Sequence, residues 1–144
     1  MAILNYSTDI PSDRTATEIQ ARLVKARAQA VMMEYDAQGV LTHLAFRVTT
    51  QHGSIAFRLP ANVEGVYNAM ARDTDIPRSM KTREQAARVA WRICKVWVES
   101  QLAVIEAGMA TLPQVFLPYA QLATGETVYE RFEQHGLPAL TYDP

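Results

Sequence analysis

Residues 81–108 read KTREQAARVAWRICKVWVESQLAVIEAG, and this stretch decides the fold. Gln85, Arg88, Arg92, Lys95 and Glu99 step by three and four, which puts them on one stripe of an α-helix that Glu106 extends. Nearly all other positions are apolar, among them Ala86, Ala87, Val89, Trp91, Ile93, Val96, Trp97, Leu102 and Ile105. A helix apolar over so much of its circumference must be buried on most sides. The spacing predicts a central pillar over residues 81–108, closed by Gly108, or a helix that enters an oligomer interface. Trp91 and Trp97 sit among apolar neighbours and read as core. Cys94, mid-helix, reads as a small core residue rather than a nucleophile.

The helix stands in a charge gradient. Residues 72–95 hold seven of the fourteen Lys and Arg against three acids, whereas residues 96–144 hold six acids against Arg131 alone. A basic segment in a chain of formal net charge -1 points to a local anionic partner rather than to a basic surface overall. Glu84 with Arg88 and Lys95 with Glu99 are i,i+4 pairs worth about 0.2–0.5 kcal/mol each. Arg88 beside Arg92 is a like-charge pair at the same spacing, and it calls for an anion or an acid nearby. Phosphates would supply one; so would Glu126, Glu130, Glu133 and Asp143 of the acidic C-terminal third.

Upstream, Thr15 followed by Glu18 has the pattern of a capping box, and Ala16, Ile19, Leu23 and Ala26 recur at helical spacing, which predicts a helix over residues 15–27. Three strand-like runs follow, at residues 29–35, 40–49 and 54–59, separated by the turns Asp36-Ala37-Gln38-Gly39 and Gln51-His52-Gly53. Leu44, Phe46 and Val48 alternate on one face of the second run, and Ile55, Phe57 and Leu59 on one face of the third. These sets share a core when Val48 pairs with Ile55 and Phe46 with Phe57. Arg47 then opposes Ala56, and Ala45 opposes Arg58. The other face carries His43, Arg47 and Arg58 between alanines, with Glu34 nearby, a surface on which a phosphate backbone could lie or simply the wet side of a meander.

Pro60 ends the third strand. Val63, Val66, Tyr67 and Met70 predict a short helix over residues 62–72, and the polar, Pro-containing stretch 73–80 reads as a loop that brings Arg72, Arg78, Lys81 and Arg83 to the start of the long helix. Beyond Gly108, Val115, Phe116, Leu117 and Tyr119, then Val128, Tyr129 and Phe132, predict a docked helical segment over residues 111–144. Its tail ends in Tyr142-Asp143-Pro144.

About half of the 144 residues are apolar, enough for one folded domain over residues 1–144 without disulfides or metals. The N-terminal Met-Ala-Ile-Leu-Asn-Tyr-Ser lacks a basic start and apolar run, and no stretch is long enough to span a bilayer, so the expected setting is cytoplasmic. His43, His52 and His135 fall in no ligand spacing, and neither a Gly-rich phosphate loop nor a nucleophile elbow occurs. Glu34 and Asp36 near a turn are the one acidic pair worth weighing for a divalent ion. The expectation is a protein that is not an enzyme and uses neither metal nor cofactor.

The order helix, three strands, helix, with Lys81-Thr82-Arg83-Glu84-Gln85-Ala86-Ala87, resembles the double-stranded-RNA-binding domain, whose second helix opens on a basic, alanine-rich run. The resemblance implies that Lys81 and Arg83 face phosphates. The chain departs from that pattern in the extra helix at residues 62–72 and in lacking the closely spaced lysines. Element order alone is also similar to the core of single-strand annealing proteins. Tyr6-Ser7-Thr8 with Thr17-Glu18-Ile19-Gln20, Phe57-Arg58-Leu59-Pro60-Ala61-Asn62 and Ala86-Ala87-Arg88-Val89-Ala90-Trp91-Arg92 resemble small phage and prophage-encoded proteins. That resemblance implies a viral origin, a host cytoplasm, and a role as a nucleic-acid accessory protein or an inhibitor of a host protein.

The sequence therefore predicts an α+β domain, a three-stranded antiparallel meander packed on helices with the longest at the centre. The function expected first is non-catalytic binding of single-stranded DNA in phage replication or recombination. Arg47, Arg58, Arg78, Lys81, Arg83, Arg88 and Arg92 would neutralise phosphates. The alternative is a protein-interaction module or a homo-oligomer acting on a host protein.

Overall fold

The computed structural model describes residues 2–136 and Leu140. In chain order the elements are α1 (Ser12–Lys25), β1 (Ala30–Tyr35), β2 (Leu41–Thr50), β3 (Gly53–Arg58), α2 (Val63–Arg72), a 3-10 turn at Arg78–Met80, α3 (Arg83–Glu106), α4 (Leu112–Phe116), a second 3-10 turn at Leu117–Tyr119, and α5 (Val128–His135). This is the α+β arrangement that the periodicities imply.

The long helix α3 starts where Thr82, extended at the N-cap, accepts a hydrogen bond from the Gln85 amide. It ends in a Schellman motif. Gly108 takes φ +75°, its amide donates to the Ile105 carbonyl, and the Met109 amide donates to the Val104 carbonyl. α1 ends in the same way, with Arg27 at φ 74° in the place that glycine usually fills. The start of α1 differs from the capping-box expectation. The helix opens at Ser12 behind Pro11, and Thr15 is fully buried with Ala16, Ile19 and Leu23 on the face turned to the core. Its hydroxyl donates back to the Pro11 carbonyl, and Glu18 is spent on ion pairs rather than on a cap.

The sheet is antiparallel in the order β1-β2-β3. Val48 pairs with Ile55, Phe46 with Phe57, Arg47 with Ala56 and Ala45 with Arg58, as the alternation requires. The ladder runs on to Thr49 opposite Ser54 and Thr50 opposite Gly53, so the hairpin turn is tighter than the expected Gln51-His52-Gly53 and leaves only Gln51 and His52 outside the ladder. On the inner face Phe46 stacks on Phe57 at 5.2 Å between ring centroids, and Phe116 meets both edge-on or tilted.

α3 separates two apolar clusters. On one side Trp91, Cys94 and Val98 meet α1 and the inner face of the sheet; on the other Ala86 and Val89 meet Met70 and Ile76, with the N-terminal Ile3 and Tyr6 packed alongside. Burial on both sides accounts for the apolar circumference as far as Val98, although Val96 stays 44% exposed. Gln85, read from its spacing as part of the polar stripe, is buried too: its Nε2 donates to the Tyr6 and Thr8 carbonyls at 2.9 and 2.8 Å. The amide thereby satisfies the backbone of a segment that has no ladder of its own.

α4 and α5 each open on a complete capping box, Thr111 with Gln114 and Thr127 with Glu130. Between them the chain runs beside β3, where the Gln121 amide donates to the Ala56 carbonyl at 2.8 Å and Phe57 bridges to Ala120. One sheet edge is covered in this way. The expected docking of Tyr142-Asp143-Pro144 lies outside the described residues. No helix among the described residues is long and apolar enough to cross a membrane.

Candidate binding groove

Three helices begin at one end of the molecule. The N-termini of α1, α2 and α3, the β1–β2 turn and the end of β3 enclose a groove of about 960 Å³. Each wall has a local cause. Asp36 closes the β1–β2 turn by accepting from the Gln38 and Val40 amides, Pro60 breaks β3, and Asn62 caps α2 by accepting from the Gly65 amide. The floor is apolar, built from Leu41, Leu59 and Ala87, and Val40, Ala61 and Val63 rise from it.

The rim is charged, and it collects three of the seven expected contacts, Arg58, Arg83 and Arg88. Each of them already holds a carboxylate. Arg83 forks onto Glu64, with Nη2 to Oε1 at 2.9 Å and Nε to Oε2 at 3.3 Å, and its guanidinium lies 4.4 Å from the centre of the Tyr67 ring. The hydrogen bond from Arg83 holds Glu64 below the usual carboxylate range, and the same bond raises Arg83. Arg88 donates from Nη2 to Glu84 at 2.7 Å and from Nη1 to the Gln85 side-chain carbonyl at 3.0 Å. Arg58 reaches Glu130 of α5, whose carboxyl is lowered by its bonds from Thr127 first and by Arg58 after them.

The other four expected contacts lie elsewhere. Arg92 turns inward to α1, where Nη1 donates to Glu18 at 2.8 Å and only 19% of its side chain stays exposed. Lys95 joins the same carboxylate at 3.6 Å and Glu99 at 2.9 Å, and Arg22 of α1 closes the network on Glu99. Burial pushes Glu18 up, but the hydrogen bond and charge of Arg92 and the charge of Lys95 outweigh it and leave the carboxyl lowered. Arg47 stands on the outer face of the sheet between Ala30 and Ala56, and Arg78 opens the 3-10 turn before α3 that Lys81 closes. These three have no ion pair among the described residues.

The like-charge pair Arg88 and Arg92 is thus relieved inside the molecule by Glu84 and Glu18, and by none of Glu126, Glu130 and Glu133. Among the described residues Glu130 is the one acid of the C-terminal third that meets an expected contact, while Glu126 is taken by Arg131. Sequence reasoning passed over Glu18 and Glu64 as partners, because a carboxylate on another helix leaves no spacing to read. Glu84 was legible at i,i+4.

Cys94 is buried, and desolvation pushes its thiol up to about 12, far from a nucleophile. Among the described residues no three His, Cys, Asp or Glu side chains come together closely enough to hold a metal ion. His43 stands at the groove with Nδ1 3.2 Å from the Thr42 hydroxyl. Comparison with known proteins found no matching family model, curated protein or solved structure.

Proposed function

We propose that this protein is a non-catalytic interaction module whose groove takes an extended segment of a partner protein. The observation that carries this reading is that every arginine on the rim is already paired, Arg58 with Glu130, Arg83 with Glu64 and Arg88 with Glu84, over an apolar floor. A polyanion gains most from unpaired cations that release counterions, and it would have to break these pairs to bind. A peptide needs no net field. Its apolar side chains find Leu59, Ala61 and Val63, and its carbonyls find the first-turn amides of α1, which have no side-chain cap. Charges along such a segment would read the rim for specificity more than for affinity.

Binding of single-stranded DNA stands as the second reading, on Arg47, Arg78 and Lys81, the expected contacts without an ion pair among the described residues. Membership of a phage replication or recombination apparatus, and a host-cytoplasmic setting, belong with it. Fluorescence anisotropy with a labelled single-stranded oligonucleotide separates the two. The interaction reading expects no saturable binding at physiological salt. Saturable binding that falls steeply with salt and is lost in Arg47→Gln/Arg78→Gln/Lys81→Gln would overturn it.

A further inference from the structure

The two edges of the sheet are treated differently. β3 is covered by the bridge to Ala120 and the bond from Gln121, whereas β1 has a strand on one side only among the described residues. From Ala30 to Glu34 nothing blunts that edge; the ladder with β2 shifts only after Glu34. The strand Ala30-Val31-Met32-Met33-Glu34-Tyr35 has no proline, no lysine and one charge, and Met32 and Tyr35 are 54% and 51% exposed. An uncapped apolar edge of this kind is a template for another strand, and natural folds usually disarm it.

We infer that β1 pairs antiparallel with β1 of a second copy about a twofold axis through Met32, joining the two three-stranded sheets into one. The register follows from backbone geometry. Outward-pointing amides and carbonyls alternate along β1, so self-pairing must match residues of the same parity, and the outer faces of the two copies then lie on one side. The regular part of β1 runs from Ala30 to Glu34, because the ladder with β2 shifts between Glu34 and Tyr35. Its centre is Met32. Pairing about that residue opposes Met32 to Met32, Val31 to Met33 and Ala30 to Glu34.

Charge supports a second copy as the occupant. Ala30 pairs with Arg47 on β2, on the exposed face. The partner's Glu34 would stand two strands from Arg47, about 10 Å between backbones, with only the methyl of Ala30 between them. Two long side chains bridge that span, so each copy supplies the carboxylate that Arg47 of the other lacks. The twofold makes the contact twice. Met32, otherwise wet, becomes the apolar centre between the two charge pairs.

Sedimentation velocity across a range of concentrations, with disulfide trapping, tests the arrangement. The full-length protein should shift from monomer to dimer, and Met32→Lys should raise the dimer dissociation constant at least tenfold. Glu34→Arg and Arg47→Glu should each weaken the dimer, and the double exchange should restore it. Met32→Cys should form a covalent dimer under mild oxidation, since directly opposed residues bring their Cβ atoms within about 5.5 Å. Thr49→Cys, on the same face but on β2, should not. A monomer at every concentration, a dimer indifferent to Met32→Lys, or equal trapping at positions 32 and 49 would overturn the inference.

Discussion

The guanidinium of Arg92 on α3 donates to the carboxylate of Glu18 on α1 at 2.8 Å, and Lys95 adds a second cation to the same oxygen. The polar stripe of the long helix is therefore a seam between two helices. Because Glu18 is held below its ordinary value, its share of stability is present above a carboxyl pKa of 4.5 and is lost as pH falls through the lower folded value. Glu18→Gln should cost about 1–2 kcal/mol at pH 7 and much less near about pH 2, read as urea midpoints at both pH values. An equal loss at the two would show that the pair contributes packing rather than charge.

The two helix ends predict opposite responses to substitution. A Cβ at Gly108 would meet nothing within 4 Å, so Gly108→Ala should cost about 1 kcal/mol through backbone strain at φ +75° alone. Arg27 already bears that strain, and Arg27→Gly should leave stability unchanged or raise it by up to about 1 kcal/mol. Thermal melts of the two variants check both signs.

Trp91 is fully buried and its indole Nε1 has no hydrogen-bond partner among the described residues. In Trp97→Phe, which leaves Trp91 as the only tryptophan, emission should be strongly blue-shifted. Trp91→Ala should cost about 3–5 kcal/mol for the lost volume. Trp91→Phe should cost clearly less, because it also removes an unsatisfied buried donor.

Cys94 should resist alkylation in the native protein and react only as the fold opens, so that labelling with a maleimide follows global unfolding. The thiol is raised from 9.0 to about 12, so the folded state keeps a proton that the unfolded chain gives up between those values. Its contribution is intact below about pH 9 and declines as pH rises above it, visible as a falling urea midpoint in wild type.

Much of the fold could be read from residues 29–59, because period-two alternation fixes faces and the two sets of apolar residues admit few registers. The long helix was equally plain from its stripe. What spacing could not carry was contact between elements. Thr15 and Glu18 have the form of a capping box, yet burial of Thr15 and the pull of Arg92 and Lys95 decide where both side chains go. Gln85 has stripe spacing, but the unpaired carbonyls of Tyr6 and Thr8 hold it inside. The basic residues were visible one by one, and their gathering was not: Arg58 and Arg83 are twenty-five positions apart and share a groove only because β3, α2 and α3 converge. Their neutralisation by Glu130 and Glu64 depends on the same convergence.

The most direct test of the groove is a selection from a displayed library of random peptides, run in parallel on the wild-type protein and on Ala61→Trp, in which the groove is filled. Val40→Trp, at a position 48% exposed and therefore harmless to the core, serves as a second block from another wall. The account predicts enriched peptides that bind wild type at physiological salt, share an apolar spacing, and lose at least tenfold in affinity on both blocked variants. Peptides that bind all three proteins alike, or no enrichment at all, would contradict it.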